Sequence, residues 1–211
     1  MGLLGNLITG AQEAFNEKRE EARAAAEEKS RRQDEGWAYQ LRLKRDYTGA
    51  WNSARSEVIR IRDRNRQELY KAEAGLYSPK RRTIIKDIAK NKIASMKAVR
   101  FKGIGIEAAI DIKIGEQPVG RVLKRKAGML NGYDHDYHFD PIGLTLSYEG
   151  GFKNFHYEIR NSHGEVEATI YHCGMFDEDW FKVNFNNETN GLLYVIMLLA
   201  MEDIDEKAWE D

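Results

Sequence analysis

The sequence predicts a mainly β protein, a closed antiparallel barrel of about ten to twelve strands around a buried hydrophobic C-terminal helix, with a charged helix at the amino terminus. Three observations indicate this fold class: a wholly apolar stretch near the carboxyl end, a series of strand–turn–strand units before it, and a long charged segment at the start. A helix that is apolar on every face must be surrounded. A closed barrel surrounds it and also removes the open edges of a long antiparallel series.

The charged segment, residues 11–45, is expected to form a helix. Alanines at 24–26 raise its helix propensity, and two acidic residues precede a basic one by four positions, Glu27 with Arg31 and Glu28 with Arg32, which is a favourable order for ion pairs. One interpretation is an amphipathic tether whose apolar residues enter a lipid surface or a partner. The alternative is a solvated extension that frays. The apolar residues of the tether are Leu3, Leu4, Leu7, Ile8 and Phe15.

Four strand–turn–strand units follow, each with apolar residues at every second position. Polar or glycine-containing turns are expected at 63–67, 87–91, 115–118 and 161–164. Single strands are expected at 144–148 and 180–185. The paired strands centre on 58–61 and 69–72, 83–85 and 93–98, 110–114 and 119–123, and 155–159 and 166–170.

The apolar stretch is Gly191 to Ile204, and Leu192 to Met201 carries no charged or amide side chain. Leucine, methionine and alanine dominate it, which favours a helix over a strand. Its ten residues would span about 15 Å, roughly half of a bilayer core, so a membrane span is the weaker interpretation.

Polar residues at the amino end of this helix favour helix formation, whereas those at its carboxyl end disfavour it. Thr189 or Asn190 can supply the N-cap. Three acidic residues lie at the carboxyl end, where the helix dipole disfavours negative charge. They are Glu202, Asp203 and Asp205. The expected organisation is therefore an extension at 1–45, a barrel at 50–206 and an acidic tail at 207–211.

The formal net charge of −1 conceals a strong division along the chain. Residues 42–126 contain 23 Lys/Arg and 9 Asp/Glu, a net of +14, whereas residues 127–211 contain 4 and 17, a net of −13. Such asymmetry is typical of a surface for a polyanion or a membrane. The alternative is that strands from the two halves lie side by side and neutralise each other.

A single cysteine, Cys173, excludes an internal disulfide and suits a reducing cytoplasm. The first residues lack the pattern of a secretory signal, so we expect a cytoplasmic protein.

Several segments resemble the tubby C-terminal-like superfamily, and within it the LURP-one-related proteins and the phospholipid scramblases. The resemblance implies a twelve-stranded barrel around a C-terminal helix, over about residues 50–206. Tubby-like members bind phosphoinositides through exterior lysine and arginine. The segments that carry the resemblance are FHYEIRNSHGEVEATIY (155–171), DEDWFKVNF (177–185), LLYVIMLLAMEDID (192–205), IRIRDRNRQELYKAEAG (59–75) and RRTIIKDIAKNKIASMKA (81–98).

Scramblases carry an acidic, calcium-linked segment before the helix, and Asp177 and Asp179 match its front. Further along that segment the family's acidic positions are Asn186, Asn187 and Thr189 here. The resemblance therefore implies a weak calcium site at Asp177 and Asp179.

The basic residues expected to contact an anion lie in two groups. If alternate residues face outward, the group at 82–92 aligns with the group at 124–126. Each cation near an anionic membrane contributes about 1 kcal/mol to the free energy of binding. The alternative is a solvated basic face that protects strand edges. Nucleic acid is a poorer partner, because the basic residues lack regular aromatic interleaving and the acidic half would repel phosphate. The first group is Arg82, Lys86 and Lys92, and the second is Lys124, Arg125 and Lys126.

A metal site and an enzyme are the less favoured interpretations. His135 and His138 lie among Asp134, Asp136 and Asp140, but three carboxylates so close together often only solvate a loop. The chain lacks G-x-S-x-G, H-E-x-x-H and Walker A motifs, and His172 and Cys173 would point to opposite faces of a strand. We therefore expect no cofactor and no catalytic residue.

These observations favour a non-enzymatic module at the periphery of the membrane's cytoplasmic face that recognises anionic phospholipid headgroups. The alternative is a soluble protein–protein interaction or scaffold module that uses the 1–45 helix. The oligomeric state is left open by the sequence.

Overall fold

A computed structural model describes residues 3–48, 56–74, 82–99, 106–126, 135–149, 156–173 and 180–207. The chain divides into two compact units, Met1–Trp37 and Ala38–Asp211. In the first unit, helix α1 spans Leu3–Asp34. Glu28 accepts hydrogen bonds from both Arg31 and Arg32, each at 2.9 Å from Nε, which confirms the predicted Glu28–Arg32 pair, whereas Arg31 pairs with Glu28 and not with Glu27 as predicted. The side chains of residues 3–16, and with them the apolar part of the predicted tether, lie outside the description.

The predicted helix at 11–45 is wrong in its last part, because α1 ends at Asp34 and strand β1 spans Tyr39–Thr48. Gly36 has a φ of +82°, a conformation that suits glycine at the end of a helix. Beyond it, Leu41 and Leu43 are buried and alternate with polar residues, which is the period of a strand. The division between the units therefore precedes β1, earlier than the predicted boundary at 45–50.

Twelve strands among the described residues form a closed antiparallel barrel, which confirms the predicted fold class. Each strand pairs with its neighbour in sequence, and β12 closes on β1. The four predicted hairpins are β2–β3, β4–β5, β6–β7 and β10–β11. After β1, the strands are β2 (Ser56–Asp63), β3 (Glu68–Ala74), β4 (Arg82–Asp87), β5 (Lys92–Val99), β6 (Ile106–Ile114), β7 (Gln117–Lys126), β8 (His135–Asp140), β9 (Leu144–Glu149), β10 (His156–Arg160), β11 (Val166–His172) and β12 (Trp180–Phe185).

Because each strand is antiparallel to the next, successive connections alternate between the two ends of the barrel. The connections β2–β3, β4–β5, β6–β7, β8–β9 and β10–β11 lie at one end, called here the turn end. Tyr39, where β1 begins, lies at the same end beside Phe185 of β12.

Helix α2 spans Gly191–Lys207 and packs in the barrel interior. Every residue from Tyr194 to Met201 is at most 3% exposed, so the helix has no solvated face along this stretch. The inward side chains of the strands surround it, and they include Leu43, Ile61, Ile85, Ile110, Phe139, Leu146, Ile159 and Ile170. The central prediction from the sequence, an apolar helix sheathed by strands, is confirmed.

The amino end of α2 is held by polar contacts. A short 3₁₀ turn, Glu188–Asn190, leads into the helix, and the Asn187 side chain accepts the Thr189 N–H at 3.1 Å. Asn187 therefore caps the 3₁₀ turn, and the N-cap of α2 itself, predicted at Thr189 or Asn190, stays a prediction. The Tyr194 hydroxyl donates to Glu167 of β11 at 2.7 Å, and this fixes the first turn of the helix to the barrel wall.

Candidate anion-binding face

Outer positions of strands β1–β5 carry basic residues that the sheet register places side by side. The Cα partners across successive strands are Lys44 with Arg60, Arg60 with Lys71, Lys71 with Lys86, and Lys86 with Lys92. These five residues are called the cationic row. With strands about 4.8 Å apart, the row is about 19 Å long. Like charges directly opposite each other in a sheet are destabilising, so the row is not explained by strand pairing alone.

Carboxylates neutralise part of the cationic row. Glu73 accepts Lys86 at 2.6 Å and lies 3.1 Å from Lys71, Glu68 lies 2.9 Å from Arg60, and Glu116 lies 2.7 Å from Lys92. The hydrogen bond from Lys86, followed by that from Lys71, lowers the pKa of Glu73. The cationic row is therefore a partly exposed surface on which three carboxylates pair with Arg60, Lys71, Lys86 and Lys92.

The structure brings together only part of the predicted basic site. Lys86 and Lys92 are direct Cα partners. Arg82 is exposed at the other end of β4, where its partner is Lys97.

The expected alignment of this group with residues 124–126 is wrong, because β6 lies between β5 and β7 and because Lys124 points inward. Arg125 lies on the outer side and pairs with Asp140 at 2.9 Å. Lys126, the last residue of β7, has His135 as its Cα partner, and its side chain lies outside the description.

Lys124 belongs to a polar cluster inside the barrel, at the carboxyl end of α2. It is only 9% exposed, and its Nζ donates to Asp205 Oδ1 at 3.0 Å. The Tyr137 hydroxyl donates to the same oxygen at 2.5 Å, and Thr83 Oγ1 donates to Asp203 at 2.9 Å. Burial, together with the hydrogen bond to Asp205, raises the pKa of Tyr137 well above its usual range. This inner polar cluster, residues 83, 124, 137, 203 and 205, explains why acidic residues are tolerated at the negative end of the helix.

The basic and acidic halves of the sequence give two charge patterns on the outer face of the barrel, a basic excess on some strands and alternating signs on others. Beyond β5, outer cations and carboxylates alternate across the strands: Lys97 faces Asp111, Asp111 faces Arg121, and Arg121 faces Asp140. Arg121 Nε lies 2.5 Å from Asp111, which is the local neutralisation considered from the sequence. The basic excess therefore lies on β1–β5, whereas the outer positions of β8–β10 have a net acidic charge, with four carboxylates and one arginine, Arg160, which pairs with Glu158. Those acidic residues are Asp136, Asp140, Glu149 and Glu158.

Three members of the cationic row, Lys44, Arg60 and Lys71, were missed in the sequence. The signal that could have found them is the alternation in LRLK, IRIR and YKA, where a cation lies between or beside inward apolar residues. Alternation identifies which residues face outward, but only the register shows that they adjoin.

The described residues of the suggested metal cluster, His135–Asp140, form strand β8, not a loop. His135 and His138 lie on opposite faces of it, His135 paired with Glu107 at 2.7 Å and His138 with Thr145 at 3.1 Å. Burial lowers the pKa of His138, as does nearby Arg125. Within the described ranges, no group of three or more His, Cys, Asp or Glu side chains is placed to hold a metal ion. Asp134 and the suggested calcium ligands Asp177 and Asp179 lie outside those ranges.

In the part of the chain that the structure describes, none of the helices combines the length and the apolarity needed to cross a bilayer.

Comparison with known proteins gives a fold neighbour but no family. No family model matches the chain, and no curated protein matches it. Among solved structures, the X-ray structure of a protein from Arabidopsis thaliana, AT5G01750, is similar with a TM-score of 0.52 and 10% sequence identity. The similarity covers 79% of this chain and 92% of the Arabidopsis chain. At this identity the likeness concerns the fold alone, and it supports the barrel.

Proposed function

We propose that this protein is a non-enzymatic, membrane-peripheral module that binds anionic phospholipid headgroups through the outer faces of β1–β5. The observation that carries the proposal is the cationic row, five adjoining basic residues on five successive strands. Outer positions beside the row add Arg62, Arg82 and Lys97 to the same face.

Electrostatics favours one orientation of such a barrel at a membrane. A cation near an anionic leaflet contributes about 1 kcal/mol, and the effect fades beyond a Debye length of about 8 Å at physiological salt. The outer positions of β8–β10, which carry four carboxylates against one arginine, would be repelled by the same surface. The charge distribution therefore directs β1–β5 toward the lipid.

The resemblance to the tubby C-terminal-like superfamily, including LURP-one-related proteins and scramblases, belongs to this proposal. The repeated hairpins, the WFKVNF strand at 180–185 and the buried helix α2 support it.

A cytoplasmic location and a calcium-binding segment at Asp177 and Asp179 belong to the same proposal. A shift in the Tm of the protein on adding calcium would test the calcium-binding segment.

A second candidate is a protein-interaction module that uses α1. The observation in its favour is that this 32-residue helix belongs to its own compact unit, and most of its described side chains are exposed. Pull-down with a 1–37 peptide, compared with a peptide of scrambled sequence, tests it. Specific capture of one partner by the native sequence alone would favour this candidate.

Flotation with lipid vesicles tests the lipid proposal. We expect the full chain to float with vesicles of phosphatidylcholine and phosphatidylserine, and to float less as salt is added, because exposed charges are screened. Vesicles of phosphatidylcholine alone are the control. Equal flotation with both vesicle types, or none with either, would overturn the proposal.

A further inference from the structure

Three turns at the turn end of the barrel share one backbone structure. In each five-residue turn the first residue donates its N–H to the carbonyl of the fifth, and the fourth donates to the carbonyl of the first. The side chain of the first residue also accepts the N–H of the fifth, at 2.8, 2.8 and 3.1 Å. The fourth residue has a φ of +67°, +66° and +81°. The turns are Asp63–Gln67, Asp87–Asn91 and Asn161–Glu165.

The second position of these turns is where they differ. It is Arg64 in β2–β3, Ser162 in β10–β11, and Ile88 in β4–β5. All three side chains are exposed, and that of Ile88 is 70% exposed. The turn structure is thus compatible with polar residues at this position, so it does not account for an isoleucine that projects into water.

Three lysines surround Ile88, and two of them are paired with carboxylates, Lys86 with Glu73 and Lys92 with Glu116. Lys90 is exposed in the same turn, and Lys86 and Lys92, the last two members of the cationic row, flank it at the ends of β4 and β5. The acidic group of the turn, Asp87, directs its oxygens to the Asn91 backbone and side-chain N–H groups at 2.8 and 2.9 Å. An apolar tip among lysines suits a membrane interface, where the apolar group enters the acyl boundary and lysine side chains extend to the phosphates.

The hydrogen bonds of the turn hold Ile88 in place before any contact is made. A preorganised tip loses little conformational entropy on binding. The other exposed large apolar side chains of the described residues, Tyr39, Ile142 and Val166, also lie at the turn end. Ile142, however, lies in the turn between β8 and β9, and Val166 is the first residue of β11, beside β10; an anionic surface repels the net acidic outer positions of β8–β10.

We propose that the β4–β5 turn is the membrane-inserting tip of the barrel, with Ile88 at the headgroup–acyl boundary and Lys86, Lys90 and Lys92 at the phosphates. This inference rests on the proposed lipid binding and adds to it the site of insertion. It also distinguishes two contributions to binding: an apolar one that is insensitive to salt, from Ile88, and an electrostatic one from the row.

Vesicle binding by Ile88→Ser, with Ser162→Ile as the matched control, tests the inference. Ile88→Ser gives the tip the residue found in the sister turn and should weaken binding to phosphatidylcholine–phosphatidylserine vesicles about tenfold, because apolar burial is lost. Its salt dependence should remain that of the wild type. Ser162→Ile should leave affinity unchanged. Both variants should keep the wild-type Tm, because they alter only exposed turn positions.

An environment-sensitive fluorophore gives an independent measurement. In a Cys173→Ser background, the label on Ile88→Cys should shift to the blue when vesicles are added, and the label on Ser162→Cys should not. If the wild type floats but Ile88→Ser floats equally and the label at 88 does not respond, the insertion inference is overturned and lipid binding stands. If the wild type does not float, both proposals fall. A blue shift that grows with protein concentration without vesicles would assign Ile88 to self-association and overturn the inference.

Discussion

The inner polar cluster and the cationic row both join lysines to carboxylates, yet one lies inside the barrel and the other on its outer face. Lys124 and Tyr137 are themselves buried, although the side chain of Asp205 that they share is partly exposed, whereas Lys71 and Lys86, which share Glu73, are both partly exposed. Leaving a buried charge without its partner is strongly destabilising, while exposed ion pairs contribute little. The inner cluster should therefore govern stability and the outer row should govern binding.

The largest expected effect is on the inner side. Asp205→Ala should lower the free energy of unfolding by about 2 kcal/mol, because it leaves the buried Lys124 ammonium and Tyr137 hydroxyl without their acceptor, while the partial exposure of Asp205 itself limits the loss. Urea unfolding measures the change. Glu73→Ala is the matched removal of an outer carboxylate and should cost less than about 1 kcal/mol. Equal losses from the two variants would remove the distinction between the clusters.

Tyr137→Phe tests a second contact of the inner polar cluster, the one that the Tyr137 hydroxyl makes. It should cost about 1–2 kcal/mol at neutral pH, since the hydroxyl donates to a carboxylate. The pKa of Tyr137 is raised in the folded state, so its contribution is complete below the unfolded pKa of about 10 and is lost as pH rises above that value. The wild type should therefore lose stability above about pH 10 more steeply than Tyr137→Phe. Parallel alkaline profiles would contradict this assignment.

On the outer face of the barrel, Glu73→Gln should strengthen vesicle binding instead of weakening the protein. It removes a carboxylate that partly neutralises Lys71 and Lys86, so affinity for phosphatidylserine-containing vesicles should rise about fivefold, equivalent to about 1 kcal/mol. Flotation measures the change, with Glu158→Gln on β10 as the control of equal charge. Weaker binding by Glu73→Gln would mean that the carboxylate organises the site rather than neutralising it.

The smallest expected effect concerns His138. Its pKa is lowered by burial and by Arg125, so its contribution to stability is present above the unfolded pKa of about 6.5 and is lost as pH falls below it. His138→Gln should flatten the stability profile in this range by a few tenths of a kcal/mol, because the group is only partly buried. Thermal unfolding at a series of pH values measures it. An unchanged profile would show that His138 does not contribute to the acid response.

The barrel and its central helix were predictable because both depend on local patterns: a period of two in the hairpins and an unbroken apolar stretch at 192–201. Strand β1 was misassigned because only Gly36 separates it from a long charged helix. In β8, Tyr137 and Phe139 already alternated with polar residues, but the histidines and carboxylates suggested a metal loop.

The site was less predictable because it depends on register between strands. Val122 and Leu123 are both buried, so the inward face of β7 cannot be read from alternation, and Lys124 was placed outside. A register irregularity between Ile112 and Lys113 shifts the pairing of β6 with β7 as well. The adjacency of Lys44, Arg60 and Lys71 follows from pairings that no single strand encodes.

The most direct test of the central claim is the vesicle affinity of Arg60→Gln/Lys71→Gln against Arg121→Gln/Arg160→Gln. Each pair removes two outer positive charges, the first from the cationic row and the second from strands β7 and β10. At about 1 kcal/mol per cation, the row variant should bind phosphatidylserine-containing vesicles roughly 25-fold more weakly than the wild type and show a smaller salt dependence. The control pair should bind as the wild type does. Equal losses from the two pairs would show that net charge alone drives the binding and would contradict a site on β1–β5.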